Sequence, residues 1–511
     1  MSRLPLPVVA LAVVAGLAAS PLAAQDGVSP AARAAMASIT EADVARRVGI
    51  IAHDSMGGRN TPSRGLDLTA AWIASEFRRF GLKPGGDSGS FLQRYPLSRR
   101  VLDGEASSLV VTVNGTPTTL SFRRDVYFSY GPRTGKPIIA PVVLLGGTIS
   151  PEAITAANVA GKIVLVATST ANQQRTNRAL APLLQKNPAA VLTVAATDSA
   201  LFARRLLSQF REQVGMENAT PGGAPILDVH ERALAPLLAS ARVDLAATRA
   251  AGELVLRELP GVGVTLTVGE QVSGRTFAPN VVGILEGSDP VLKKEYVVFS
   301  AHMDHVGTGA PVNGDSIFNG ADDDASGTVG IVELAEAYTR SGARPKRSLI
   351  FLTVSGEEKG LWGSEWFAER PPVPMTQVVA NLNMDMIGRN WKDTIVVIGK
   401  EHSDLGRTLN TVNAAHPELG MSAIDDQWPD QQFYFRSDHY NFARKGVPIL
   451  FFFNGTHADY HRPSDSVDKI DAEKEARILK LVFLIGQSVG NAAERPKWNP
   501  ESYQKIVQVA Q

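Results

Sequence analysis

The chain has 511 residues, 44% of them hydrophobic and 20% charged, which allows a large buried core and by length suggests about three domains. Lys and Arg together number 51, as do Asp and Glu, so nothing in the balance points to nucleic acid or an anionic membrane. The absence of cysteine excludes thiolate nucleophiles and Cys-ligated zinc, leaving any metal to histidines and carboxylates.

In chain order, MSRLPLPVVALAVVAGLAASPLAAQDG comes first. Arg3, an apolar run to about Ala19 and small residues ahead of Gln25 predict a secretory signal peptide over residues 1–24. The run is shorter than the roughly 20 residues that span a bilayer, and Pro5 and Pro7 interrupt it. Removal of the signal and export to the periplasm or the medium are therefore expected, with no stable membrane insertion afterwards. A chain of this size without disulfides suits that setting.

Residues 25–109 form an arm in which ITEADVARRVGIIAHD and TAAWIASEFRRFGL have helical apolar spacing, broken by the Gly-rich SMGGRNTPSRG. Residues 110–268 change to short β-rich runs such as APVVLL and GKIVLVA between Ala-rich stretches, with no catalytic residue types at useful spacing. This block reads as an inserted module that supplies no metal ligand. From residue 269 to 511, the runs EYVVFSAH, RSLIFLTVS, VVANLNMDMIG, DTIVVIG and VPILFFFN alternate with helical patterns. Near-continuous apolar strands of this kind predict an α/β fold, a mixed and mostly parallel sheet sandwiched by helices. Ligands in such sheets collect beyond the carboxyl ends of the strands.

Five polar features stand at those ends: AHMDHVG with His302 and Asp304, NGADDDASG with Asp322 to Asp324, SGEEKG with Glu357 and Glu358, NMDMIG with Asp385, and DYHRPSD with His461. Each alone has an ordinary explanation, such as a helix cap or carboxylates placed well for a helix dipole. Converged, they put six or seven carboxylates around two histidines, an arrangement too repulsive to persist without cations.

In this order and spacing the motifs H-x-D, G-A-D-D-D-A-S-G, E-E-x-G, N-x-D-M-I-G and Y-H-x-x-x-D resemble the M28 family of zinc aminopeptidases, over roughly Pro279 to Ala493. The 110–268 block is similar to the protease-associated domain inserted in larger bacterial members. The resemblance implies an exported exopeptidase acting on peptide or protein N-termini with two zinc ions per chain. One ion would take His302, Asp323 and Asp385, the other Asp323, Glu358 and His461, with a water between them. It further implies Glu357 as general base, Tyr460 as a donor to the developing oxyanion, and Asp304 as the carboxylate orienting the His302 ring. The Asp323–Asp324 peptide is expected to be cis. Asp324 and Ser326 fall where an N-cap belongs, and Asp322 reads as a flanking, partly solvated residue. Asp438 fits either an outer partner of the site or a helix cap. Trp428, Phe433, Tyr434 and Phe435 read as loop core, with an apolar substrate pocket as the alternative. Two other functions share the fold: a single-zinc acyltransferase like the glutaminyl cyclases, and a receptor-like ectodomain with a degenerate site. The complete ligand set favours the dinuclear peptidase over both.

Overall fold

A computed structural model of the chain describes residues 28–508 except 134, 149–153, 155–156, 168–181, 197–198, 218–221, 341 and 343. The expected signal peptide lies outside the described residues. Two compact units are present, one formed by residues 1–93 and 279–511 and the other by 94–278.

In the first unit the strands Tyr296–His302, Ser348–Val354 and Val378–Met384 are buried on both faces, which is why their sequences read as apolar runs. Tyr296–His302 lies at the centre, parallel to the other two, and Ile449–Phe452 continues the parallel set beyond Val378–Met384. Thr394–Ile398 runs antiparallel to Ile449–Phe452 and parallel to Ser422–Ile424 at one edge. On the other side residues 281–285 pair antiparallel with Ser348–Val354, and Lys83–Pro84 pair antiparallel with 283–284 beyond them. The sheet is thus mixed and mostly parallel.

Register places the chemistry. His302 is paired with Val354, immediately ahead of the loop that carries Glu357 and Glu358. Ser300 is paired with Asn383, so His302 and Asp385 stand two residues further along neighbouring strands. Helices pack around this sheet. Gly327–Thr339 is apolar nearly all round and almost wholly buried, as a helix must be when it is covered on every side. Ala472–Asn491 begins where Asp471 accepts the Lys474 N–H, and Arg64–Arg79 where Ser63 accepts that of Leu66, both in N-cap fashion. Arg64–Arg79 buries Leu66, Ala70, Ile73 and Phe77 along one stripe.

In the second unit Ile138–Gly147, Ile163–Ala167, Ala190–Ala195 and Ile226–His230 are successive parallel neighbours, and Val126–Tyr130 closes one edge antiparallel. Several Ala-rich stretches of the sequence are helices here, Glu231–Ser240 and Leu245–Ala250 among them. The unit extends past 110–268 at both ends, since Leu97 to Arg100 already pair with Gln213–Met216. Among the described residues no helix is long and apolar enough to cross a membrane.

Candidate metal centre

The three adjacent aspartates are all buried and divide their work. They follow Gly320, whose φ of 54° only glycine adopts freely, and the peptide between Asp323 and Asp324 is cis. Asp324 points back into the protein and accepts three backbone N–H groups, those of Gly327 at 2.8 Å, Met386 at 3.1 Å and His302 at 3.2 Å. It therefore caps the following helix and at the same time ties down the strands that end in His302 and Asp385. Asp322 accepts the Gly388 N–H at 2.7 Å and lies 3.2 Å from His457 Nε2. The expectation of a solvated Asp322 is thus corrected: the loop after Asp385 folds over it. Ser326 occupies the N-cap position as expected, but its side chain caps nothing: its hydroxyl donates to Asp322 O at 2.8 Å and accepts from Ile387 N at 3.1 Å. Asp465, from the Y-H-x-x-x-D motif, receives the N–H groups of both Asp322 and Asp323 at 3.1 Å.

Held from both sides, Asp323 aims its carboxylate inward. One oxygen lies 3.3 Å from His302 Nε2, which is also 3.5 Å from Asp385 Oδ1. The other lies 3.2 Å from His461 Nε2, which is 3.1 Å from Glu358 Oε2. The five expected ligands thus converge as two groups that share Asp323. Sequence reasoning missed one member: His305, three residues after His302, stands with its Nδ1 2.9 Å from Glu358 Oε1 and 3.6 Å from Asp323 Oδ2. Its signal was available in H-M-D-H, two histidines in one loop.

Buried polar atoms are normally paired. Here Asp323 Oδ2, Glu358 Oε1, Asp385 Oδ1, His305 Nδ1 and His461 Nε2 are all buried without a hydrogen bond, and they are the atoms that face one another. Carboxylate oxygens and imidazole nitrogens are the donors zinc takes when thiolates are absent. The residues fit the metal. The local field agrees: burial opposes charge on His461, but the Asp323 and Glu358 carboxylates outweigh it and lift the imidazole to about 10. Burial likewise opposes ionisation of Asp323, yet His305 and the other histidines hold its carboxyl well below the usual range.

The remaining expected residues surround these groups. Glu357 is half-buried; burial raises its carboxyl well above the ordinary range, with Asp438, Asp385 and Glu358 adding to the effect and His302 opposing it. The Tyr460 ring stacks on that of His461 with centroids 3.9 Å apart. Asp304 reaches the His302 ring through its backbone carbonyl, 3.1 Å from Nδ1, while its carboxylate stays 3.8 Å away. That carboxylate is turned instead to the Thr61 hydroxyl at 2.8 Å and the Glu357 N–H at 3.3 Å. Ser437 donates to Asp385 Oδ2 at 2.9 Å, leaving Oδ1 to face His302. Asp438 is fully buried, caps nothing with its side chain, and burial pushes its carboxyl up to about 7 against the pull of His302. His302, Asp323, Glu357, Asp385 and Tyr460 line one cavity, and Met386, Phe433, Phe451 and Phe453 give it apolar walls. Phe433 is therefore a pocket residue; Trp428 packs edge-on behind it, Tyr434 is buried, and Phe435 is exposed.

Two polar residues of the N-terminal arm, read from sequence as part of a loop, brace the site. Arg59 is fully buried and donates to Met303 O at 2.9 Å, Ile51 O at 3.0 Å, Asn319 O at 2.6 Å and Gly320 O at 2.9 Å. Thr61 accepts the Gly356 N–H at 3.0 Å while donating to Asp304.

Comparison with known proteins agrees with this architecture. Residues 280–485 match peptidase family M28. The chain is 27% identical over 222 residues to leupeptin-inactivating enzyme 1 of Streptomyces exfoliatus, covering 43% of this chain and 45% of that protein. It is 28% identical over 221 residues to a probable leucine aminopeptidase of Arthroderma benhamiae, covering 42% and 58%. The chain thus spans about half the length of these curated relatives. In structure it is similar to the aminopeptidase from Aneurinibacillus sp. strain AM-1, with a TM-score of 0.50 and 18% identity, covering 91% of this chain and 97% of that one.

Proposed function

The chain carries a peptidase family M28 domain over residues 280–485, and from that premise we propose that it is an exported zinc aminopeptidase that removes residues from the N-termini of peptides. The observation that carries this reading is the division of Asp323, whose two oxygens face two separate donor groups. His302, Asp323 and Asp385 would hold one zinc ion, and Asp323, Glu358 and His461 a second. When bound, such a pair lowers the pKa of a water molecule and polarises a carbonyl.

The chain's own residues supply the rest. Glu357 stands on the cavity wall and carries no ligand duty, so its carboxylate is free to take a proton from the attacking water and pass it to the leaving amine. Tyr460 donates its hydroxyl to the carbonyl oxygen as negative charge develops there. Met386, Phe433, Phe451 and Phe453 receive an apolar side chain at the substrate N-terminus, in line with the leucine aminopeptidases among the relatives.

Turnover of leucine and phenylalanine anilides, compared with their N-acetylated counterparts and with glutamate anilide, tests this directly. Hydrolysis of the free apolar anilides, abolished by acetylation, is expected. Preference for the blocked substrates would overturn the aminopeptidase assignment.

A further inference from the structure

We propose that His305 is a fourth protein donor at the His461 position, so that the two metal sites are unequal: one closed by four protein ligands, the other held by three and open. The proposal rests on the two-ion reading above and goes beyond it, since the ligand set considered so far gives each ion three donors.

Distances carry the argument. Donors about 2.0–2.2 Å from a tetrahedral zinc stand about 3.3–3.6 Å from one another. Around the second position the separations are 2.9 Å for His305 Nδ1 to Glu358, 3.6 Å for His305 Nδ1 to Asp323, 3.2 Å for His461 Nε2 to Asp323 and 3.1 Å for His461 Nε2 to Glu358. Three of the four fall somewhat under the tetrahedral edge and one at its upper end, so His305 Nδ1 stands within the same reach of a shared ion as His461 Nε2. Its ring is fully buried and both of its nitrogens lack a hydrogen bond, so a cation gives Nδ1 the partner that burial demands.

The backbone is shaped around this ring. Gly320 lies against it, and a β-carbon there would sit 2.5 Å from His305 Cγ and 2.1 Å from the Asp323 carbonyl oxygen. The His305 N–H is held by Arg59 O at 3.3 Å, and the Arg59 side chain in turn holds Gly320 O. A second observation comes from the cavity. Its walls include His302, Asp323 and Asp385, all three donors of the first position, but neither Glu358 nor His305. Substrate therefore approaches the three-donor side, where a catalytic zinc keeps its open position, while the four-donor side has the ligand count of a structural site.

Cobalt(II) titration of the chelated full-length protein, with proton NMR of the loaded form, tests the assignment. Each coordinated imidazole contributes one exchangeable, strongly shifted ring N–H signal. The wild-type protein is expected to take two equivalents and show three such signals, the third from His305 Nε2–H. His305→Ala should lose that signal and weaken one binding step by more than the about 10–100-fold that loss of an outer partner costs, leaving the other step in place. Two equivalents with only two ring signals would overturn the proposal alone, making His305 a hydrogen-bonding partner of Glu358. A single equivalent in the wild-type protein would overturn the two-ion reading and this proposal together. The wild-type signal count stands as a test even if the variant does not fold.

Discussion

Arg59 donates to the carbonyl of Gly320 at 2.9 Å, at the residue from which the three aspartates depart. The same guanidinium reaches Met303 O, between His302 and Asp304, so one side chain of the N-terminal arm fixes relative to each other two loops that carry candidate ligands. Burial works against the charge, lowering the pKa of Arg59, and Asp323, Asp304, Asp324 and Asp465 offset part of that effect. Arg59→Gln leaves several buried carbonyls without donors, at about 1–3 kcal/mol each, so a loss of about 4 kcal/mol or more is expected in denaturant unfolding. Arg59→Lys should recover only part of it, because an ammonium cannot span a planar fork's acceptors. Zinc affinity of the folded fraction should fall in both variants. Unchanged affinity would mean that Arg59 supports the fold but not the site.

Glu357 and Glu358 are chemically identical neighbours to which the proposed function gives different work. Glu358 faces His461 and His305, so Glu358→Gln should lose metal and, through it, activity. Glu357→Gln should keep metal and a similar KM while kcat falls by about 10²- to 10⁴-fold, the usual share of a positioned acid or base. Zinc content and steady-state kinetics on the two variants check this. Metal loss from Glu357→Gln with retention in Glu358→Gln would reverse the roles.

Asp324 never touches a ligand side chain in this geometry, yet three backbone N–H groups converge on it. Asp324→Ala orphans all three in the interior and is expected to cost about 3 kcal/mol or more. Urea unfolding of the chelated protein measures this without any contribution from bound metal. A loss under about 1 kcal/mol would show that the turn re-pairs its donors elsewhere.

Much of the site was legible in the sequence because its residues sit where parallel strands end, and strand ends are marked by apolar runs that stop at a polar residue. His302, Glu357, Glu358 and Asp385 all follow that pattern. Asp322 was misread, and the work of the Ser326 hydroxyl missed, because their partners, Gly388 and Ile387, come from a strand exit about sixty residues away, a contact local propensity cannot encode. Arg59 and Thr61 were hidden for a related reason. They lie in a Gly-rich break with the composition of a surface loop, and only the packing of the arm turns them inward. His305 was passed over because the H-x-D spacing already accounted for the loop.

Residues 94–278 form a compact unit of their own, and the chain ends that flank it are already joined by a hydrogen bond from Asn280 Nδ2 to Gln93 Oε1 at 3.0 Å. Excision with a short Gly-Ser linker should therefore leave a folded protein that binds the same number of zinc ions. Circular dichroism and metal analysis of the deletion variant test this. Loss of one metal equivalent from a folded deletion would show that the unit contributes a ligand.

Metal stoichiometry of the intact chain bears most directly on the claim that Asp323 serves two donor groups. Gently purified protein should contain zinc, and the chelated protein titrated with zinc should saturate at two equivalents, with Asp323→Ala weakening both binding steps together. Saturation at one equivalent, or loss of only one step in Asp323→Ala, would contradict it.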